Sequence, residues 1–118
     1  MCAPVEPAEP TTYAWGSIRW IVNADLVPGA GITVGLVEIG PGLSNPLHFH
    51  PNAEEVLHLL EGSLDHRIGD GMVSLVPGTT IHVPQGVHHQ ATNTGTTPAR
   101  MVVTYPTGSR EMVVVEAP

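Results

Sequence analysis

The sequence predicts one all-β domain, a sandwich or barrel, and three observations carry that prediction. Short runs rich in Val, Ile, Leu and Thr are punctuated by Gly and Pro about every ten residues, the pattern of many short strands joined by tight turns. Helical periodicity has little support anywhere in the chain. The 118 residues are one domain's worth of polypeptide, and 42% hydrophobic against 13% charged residues suits a single folded core.

In chain order, Pro4, Pro7 and Pro10 predict an extended N-terminal arm over residues 1–12, with the β-barrel domain filling residues 13–118. Strands are expected at residues 18–22, 32–39, 46–50, 55–60, 64–68, 72–75, 80–83, 87–93, 99–105 and 111–115. Turn residues separate them: Val27-Pro28-Gly29, Gly40-Pro41-Gly42, Glu61-Gly62, Gly69-Asp70-Gly71, Val76-Pro77-Gly78 and Asn93-Thr94-Gly95. A meander or Greek key results.

Charge narrows the function. Lysine is absent, and Arg19, Arg67, Arg100 and Arg110 face eleven carboxylates for a net charge of -7. A protein that tracks nucleic-acid phosphates needs the opposite balance. The missing ammonium also excludes pyridoxal phosphate chemistry, Schiff-base catalysis and a P-loop. The single cysteine, Cys2, has no partner for an internal disulfide. Residues 1–10 have neither a basic start nor an apolar run, and no stretch approaches the roughly 20 apolar residues of a membrane helix, so a cytoplasmic protein with no membrane or nucleic-acid partner is expected.

The informative residues are the seven histidines, His48, His50, His58, His66, His82, His88 and His89, all within the middle of the chain. Side chains two apart on a strand share a face, so His48 and His50 project together and Phe49 projects oppositely. The turn Pro51-Asn52-Ala53 could bring Glu55 back to both imidazoles, and His89, entered through Pro84-Gln85-Gly86, could supply a fourth ligand from a distant strand. Two or three imidazoles with one carboxylate suit a divalent first-row metal.

These residues sit in two spaced motifs. Gly42-x5-His48-x-His50-x4-Glu55-x6-Gly62 and Gly78-x5-Pro84-x-Gly86-x2-His89-x3-Asn93 resemble the two motifs of the cupin superfamily, with every defining position occupied. The resemblance implies a jelly-roll β-barrel holding one divalent transition metal inside it on His48, His50, Glu55 and His89. It also implies that Glu55, not Glu54, is the ligand. Four ligands leave two octahedral positions open, which favours iron, manganese, nickel or cobalt, with zinc possible.

With Glu55 inward, Leu57 and Leu59 share its face while Val56, His58 and Leu60 face out. That outward apolar surface, together with the resemblance, leads us to expect a homodimer. His88 should point away from the metal, and the face of His66 is left open. His82 shares a polar face with Thr80 and is the candidate for proton transfer. Arg19, Arg100 and Tyr105 are the candidates for binding a carboxylate substrate. The expected function is a metal-dependent enzyme for a small oxygen-rich organic acid or keto/enol compound, of decarboxylase, lyase, isomerase or dioxygenase type. The alternative is a non-catalytic metal-bearing module that binds a small ligand.

Overall fold

Alternating burial along β-strands such as residues 33–39, 55–59, 80–83, 89–93 and 99–105 builds a two-sheet barrel. The computed structural model describes residues 3–115, so Cys2 lies outside the described residues. Eleven strands and no α-helix occur among them: β1 (Thr11–Tyr13), β2 (Gly16–Val22), β3 (Thr33–Ile39), β4 (His48–Phe49), β5 (Glu55–Glu61), β6 (Leu64–Ile68), β7 (Gly71–Leu75), β8 (Thr80–Val83), β9 (His89–Asn93), β10 (Ala99–Tyr105) and β11 (Val113–Val114). One sheet has the order β1-β2-β3-β10-β5-β8 and the other β11-β4-β9-β6-β7, all neighbours antiparallel. The all-β jelly-roll expectation therefore holds.

Every second side chain enters the barrel. On β5 these are Glu55, Leu57 and Leu59; on β10, Ala99, Met101, Val103 and Tyr105; on β9, His89, Ala91 and Asn93. The core gathers where β3, β10 and β5 pass the opposite sheet, with Ile39, Leu59, Leu64, Leu75 and Met101 almost wholly buried. Two glycines set its shape. Gly62 turns β5 into β6 at φ +86°, and a Cβ there would meet Ala99 Cα at 2.8 Å. Gly35 leaves room for the Trp20 ring, which a Cβ would strike at 2.8 Å.

All ten expected strand segments appear: residues 64–68, 80–83 and 99–105 with the expected ends, and the other seven with shifted ends, the first beginning earlier at Gly16. One strand was not expected. Thr11–Tyr13 pairs with Ser17 and its neighbours on β2, and Ala8 N–H donates to Trp20 O at 3.0 Å, so the proline-rich segment lies along the sheet edge. Its polar Thr-Thr-Tyr sequence has no apolar alternation to announce a strand.

Candidate metal centre

Both sheets contribute to the histidine cluster. His48 on β4 faces His89 on β9 directly across the five-stranded sheet, with ring centroids 4.1 Å apart. His50 follows β4, and Glu55 opens β5 on the six-stranded sheet. The ligand atoms of these four residues lie within 4.8 Å of one another, and none of the four is more than 6% exposed.

Backbone carbonyls orient all three rings. His48 Nδ1 donates to Pro46 O at 2.7 Å, His50 Nδ1 to Glu111 O at 2.8 Å and His89 Nδ1 to Val87 O at 2.9 Å. Each bond places the proton on Nδ1 and leaves a lone pair on Nε2. His50 Nε2 and His89 Nε2 are buried without a hydrogen-bond partner, although they approach Glu55 Oε1 to 3.2 and 3.6 Å. The Tyr105 hydroxyl donates to the same carboxylate oxygen at 2.5 Å. Lone pairs thus converge on lone pairs in a buried place, an arrangement that a divalent cation completes and a proton completes only in part.

Ionisation fits that picture. Burial pushes the Glu55 carboxyl up, but His50, His89 and Tyr105 beside it win and hold it well below the usual carboxylate range. Burial, reinforced by repulsion from His89, lowers His48 to about 4. Burial also pulls His89 down, yet the adjoining Glu55 carboxylate outweighs it and raises the imidazole above its ordinary value. Burial and the Glu55 charge drive the Tyr105 phenol well above its usual range, so it stays a donor. The donor set carries one negative charge, stays neutral on nitrogen once a metal competes with the proton, and suits a first-row divalent ion.

The cluster lines a cavity of about 200 Å³. Ile18, Val37, Leu57, Met101 and Val103 of the six-stranded sheet line it, with Trp15 beside them, and His66 and Arg110 are further polar residues in its wall.

A family model described as Cupin domain matches residues 35–105, more than half of the chain and both motifs from His48 to His89. The chain belongs to the cupin family. This cupin is 33% identical over 93 residues to the tetracenomycin polyketide synthase protein TcmJ of Streptomyces glaucescens, covering 79% of its own length and 62% of the relative. It is 35% identical over 110 residues to germin-like protein 3-8 of Oryza sativa subsp. japonica, covering 83% of its own length and 47% of the relative. It therefore spans about half to three fifths of these relatives. Among solved structures, the oxalate decarboxylase of Lactobacillus farciminis in complex with formate superposes with a TM-score of 0.84 at 21% identity, over 91% of the cupin and 33% of that chain. An oxalate oxidase superposes with a TM-score of 0.80 at 27% identity, over 89% of the cupin and 57% of that chain.

The cupin brings together His48, His50, Glu55, His89 and Tyr105, and it separates them from the other candidates. His82 is corrected: Ile81 and Val83 are the buried residues of β8, so His82 points outward, 55% exposed, and pairs with Glu54 at 3.0 Å. Arg19 is corrected because Ile18 is the inward residue on β2; its Nε donates to Ala8 O at 3.0 Å on the outer face. Arg100 is corrected likewise, standing outward between buried Ala99 and Met101, 3.6 Å from Glu61. His58 bonds Thr80 Oγ1 at 2.7 Å on the outer face, and His88 stacks on Phe49.

Two cavity residues were not assigned from sequence. His66 is 1% exposed with its Nδ1 unpartnered, stacks 5.8 Å from His89, and is lowered to about 4 by burial, hence neutral at pH 7. Its signal was the alternation of Leu64, His66 and Ile68 against Asp65 and Arg67. Arg110 sits in the loop after β10, where no strand period operates, and the sequence carries no signal for it.

Proposed function

We propose that this cupin holds one divalent transition metal on His48, His50, Glu55 and His89 and uses it to transform a small oxygen-rich organic acid or keto/enol compound. The convergence of unpartnered imidazole lone pairs and an ionised carboxylate in the wall of a largely apolar cavity is the observation that carries this reading. The oxalate-acting structures that share its fold support the choice of a small acid.

The chain's own residues bind, orient and exclude water. Three carbonyl-bound Nδ1–H groups fix the imidazoles, and Tyr105 fixes the carboxylate. Apolar walls keep the field of the charged groups strong by displacing water. Bound there, the metal supplies Lewis-acid stabilisation of a developing oxyanion or, as iron or manganese, redox chemistry with dioxygen. With His82 outside, His66 and Tyr105 are the protein groups in the cavity that could carry a proton near the reacting atoms.

The outward position of His82 also favours a second reading, a metal-bearing module that binds a small ligand without turning it over. Iron- and manganese-loaded protein incubated with and without oxygen against small keto acids, diketones and dihydroxy compounds separates the possibilities. Oxygen use matched to substrate loss selects a dioxygenase, and product without oxygen selects decarboxylase, lyase or isomerase chemistry. Tight binding with no consumption selects the module.

A homodimer is proposed alongside, because Val56, Leu60, Met72 and Val76 are 40, 42, 63 and 65% exposed on the barrel's outside. Light scattering at micromolar concentration should give twice the chain mass; a monomer contradicts it.

A further inference from the structure

The one cation in the cavity wall is Arg110, among the described residues. Its guanidinium carbon lies 4.7 Å from the Trp20 ring centroid and 5.3 Å from that of Tyr105. Trp20 holds its place because it packs on Gly35, and Tyr105 because its hydroxyl is bound to Glu55. The two rings hold the guanidinium through its charge and take none of its N–H donors as conventional hydrogen-bond partners, which leaves those donors for others. Arg110 Nε is buried and has no hydrogen-bond partner, and Arg110 forms no ion pair among the described residues.

The loop that carries it is tied down at several points. Thr33 Oγ1 donates to Thr107 O at 2.6 Å, Ala24 N to Gly108 O at 2.9 Å, and Asn52 Nδ2 to Ser109 O at 2.9 Å. Glu111 N donates to Asn52 Oδ1 at 2.8 Å, while Glu111 O accepts from His50. A planar cation is therefore held ready, next in sequence to a residue that orients the metal cluster. Planar, bidentate donors match a carboxylate better than any other common anion of small metabolites except phosphate, and a cavity of about 200 Å³ lies below the roughly 300–1,000 Å³ of larger ligand pockets.

We propose that Arg110 is the residue that binds the ligand's carboxylate, and that the cavity selects a compact monocarboxylic acid with an apolar body over a bare dianion such as oxalate. The apolar half of the claim comes from Ile18, Val37, Leu57, Met101 and Val103, which an all-oxygen ligand would leave without contacts. The proposal rests on the reading of the cavity as a small-acid site, but not on occupancy of the metal.

Benzoate, its neutral counterpart benzamide, and oxalate are the probes, titrated by calorimetry and by Trp fluorescence excited at 295 nm, since Trp15 lines the cavity and Trp20 lies against the Arg110 guanidinium. Both chelator-treated and manganese-loaded protein are used, so that a failure of metal binding shows separately as absent manganese. The native protein should bind benzoate about tenfold or more tightly than benzamide in either form, and more tightly than oxalate when metal-free. Arg110→Gln should abolish the preference for benzoate over benzamide, Arg110→Lys should keep part of it, and Arg19→Gln on the outer face should leave it intact. Circular dichroism checks each fold, and the native comparison of probes stands even if Arg110→Gln does not fold. Equal affinity for benzoate and benzamide, a full preference in Arg110→Gln, tighter oxalate binding without metal, or no benzoate binding at millimolar concentration overturns the proposal.

Discussion

The outside and the inside of the barrel each bring a glutamate together with histidines, with opposite outcomes. Outside, Glu54 pairs with His82 and His58 bonds Thr80, each with water at hand to complete its hydrogen bonds. Inside, one residue along from Glu54, the Glu55 carboxylate faces imidazoles whose protons are already committed to backbone carbonyls. Glu54 and His82 are more than half exposed, whereas Glu55 and His89 are 3 and 2% exposed. The residue types do not make the site; the burial of lone pairs that only a cation can satisfy makes it.

The strongest way to break this comparison is to remove an inner imidazole and its outer equivalent in parallel. His50→Ala and His89→Ala should each lower metal affinity by more than about 100-fold, beyond the loss from removing a group that only orients a ligand, so that element analysis after dialysis finds little bound metal, while His82→Ala keeps the native stoichiometry. Equal loss from all three would erase the distinction between the faces.

Acid should come next in size. Between pH 6.5 and about 4 the unfolded chain takes up protons on His48 and His66 that the folded chain refuses, so chelator-treated protein should lose about 3 kcal/mol apiece over that range. Glu55 adds to the loss below its ordinary value of 4.5, because its folded carboxyl is held lower. His89 works the other way: its raised pKa contributes stability at low pH that disappears as the pH climbs through it. Melting curves should therefore fall by on the order of 10 °C or more from pH 7 to 4.5. A flat profile would mean that His48 and His66 are not buried neutral.

Smaller still is the effect of the bond to the carboxylate. Tyr105→Phe keeps the ring and removes the donor to Glu55, so metal affinity, read by chelator competition, should drop about 10- to 100-fold without loss of the fold. The smallest effect belongs to the outer pair. Glu54→Gln should change stability by no more than about 0.5 kcal/mol in chemical denaturation, and a larger loss would show that the outer pair holds the barrel together.

Strand period made the inner face legible. His48 and His50 two apart, and Glu55 in step with Leu57 and Leu59, follow from alternation once a strand is recognised, and the motif spacing supplied His89. The same rule, applied more strictly, would have placed His82 outside, since Ile81 and Val83 are the apolar half of β8 and the polar half meets water. It would also have placed His66 inside. Arg110 lies beyond the rule's reach, because its position depends on a loop clamped by Thr33, Ala24 and Asn52, residues from three separate parts of the chain. The strand Thr11–Tyr13 escaped for a related reason: it forms by pairing with β2 rather than by burying an apolar face.

X-ray absorption of the manganese-loaded protein tests the inner face directly, because imidazole rings scatter differently from water and carboxylate oxygen. The account predicts one ion per chain with three imidazole nitrogens and at least one oxygen in its coordination shell, unchanged in His82→Ala. An oxygen-only shell, or three imidazoles reduced to two by His82→Ala, would contradict it.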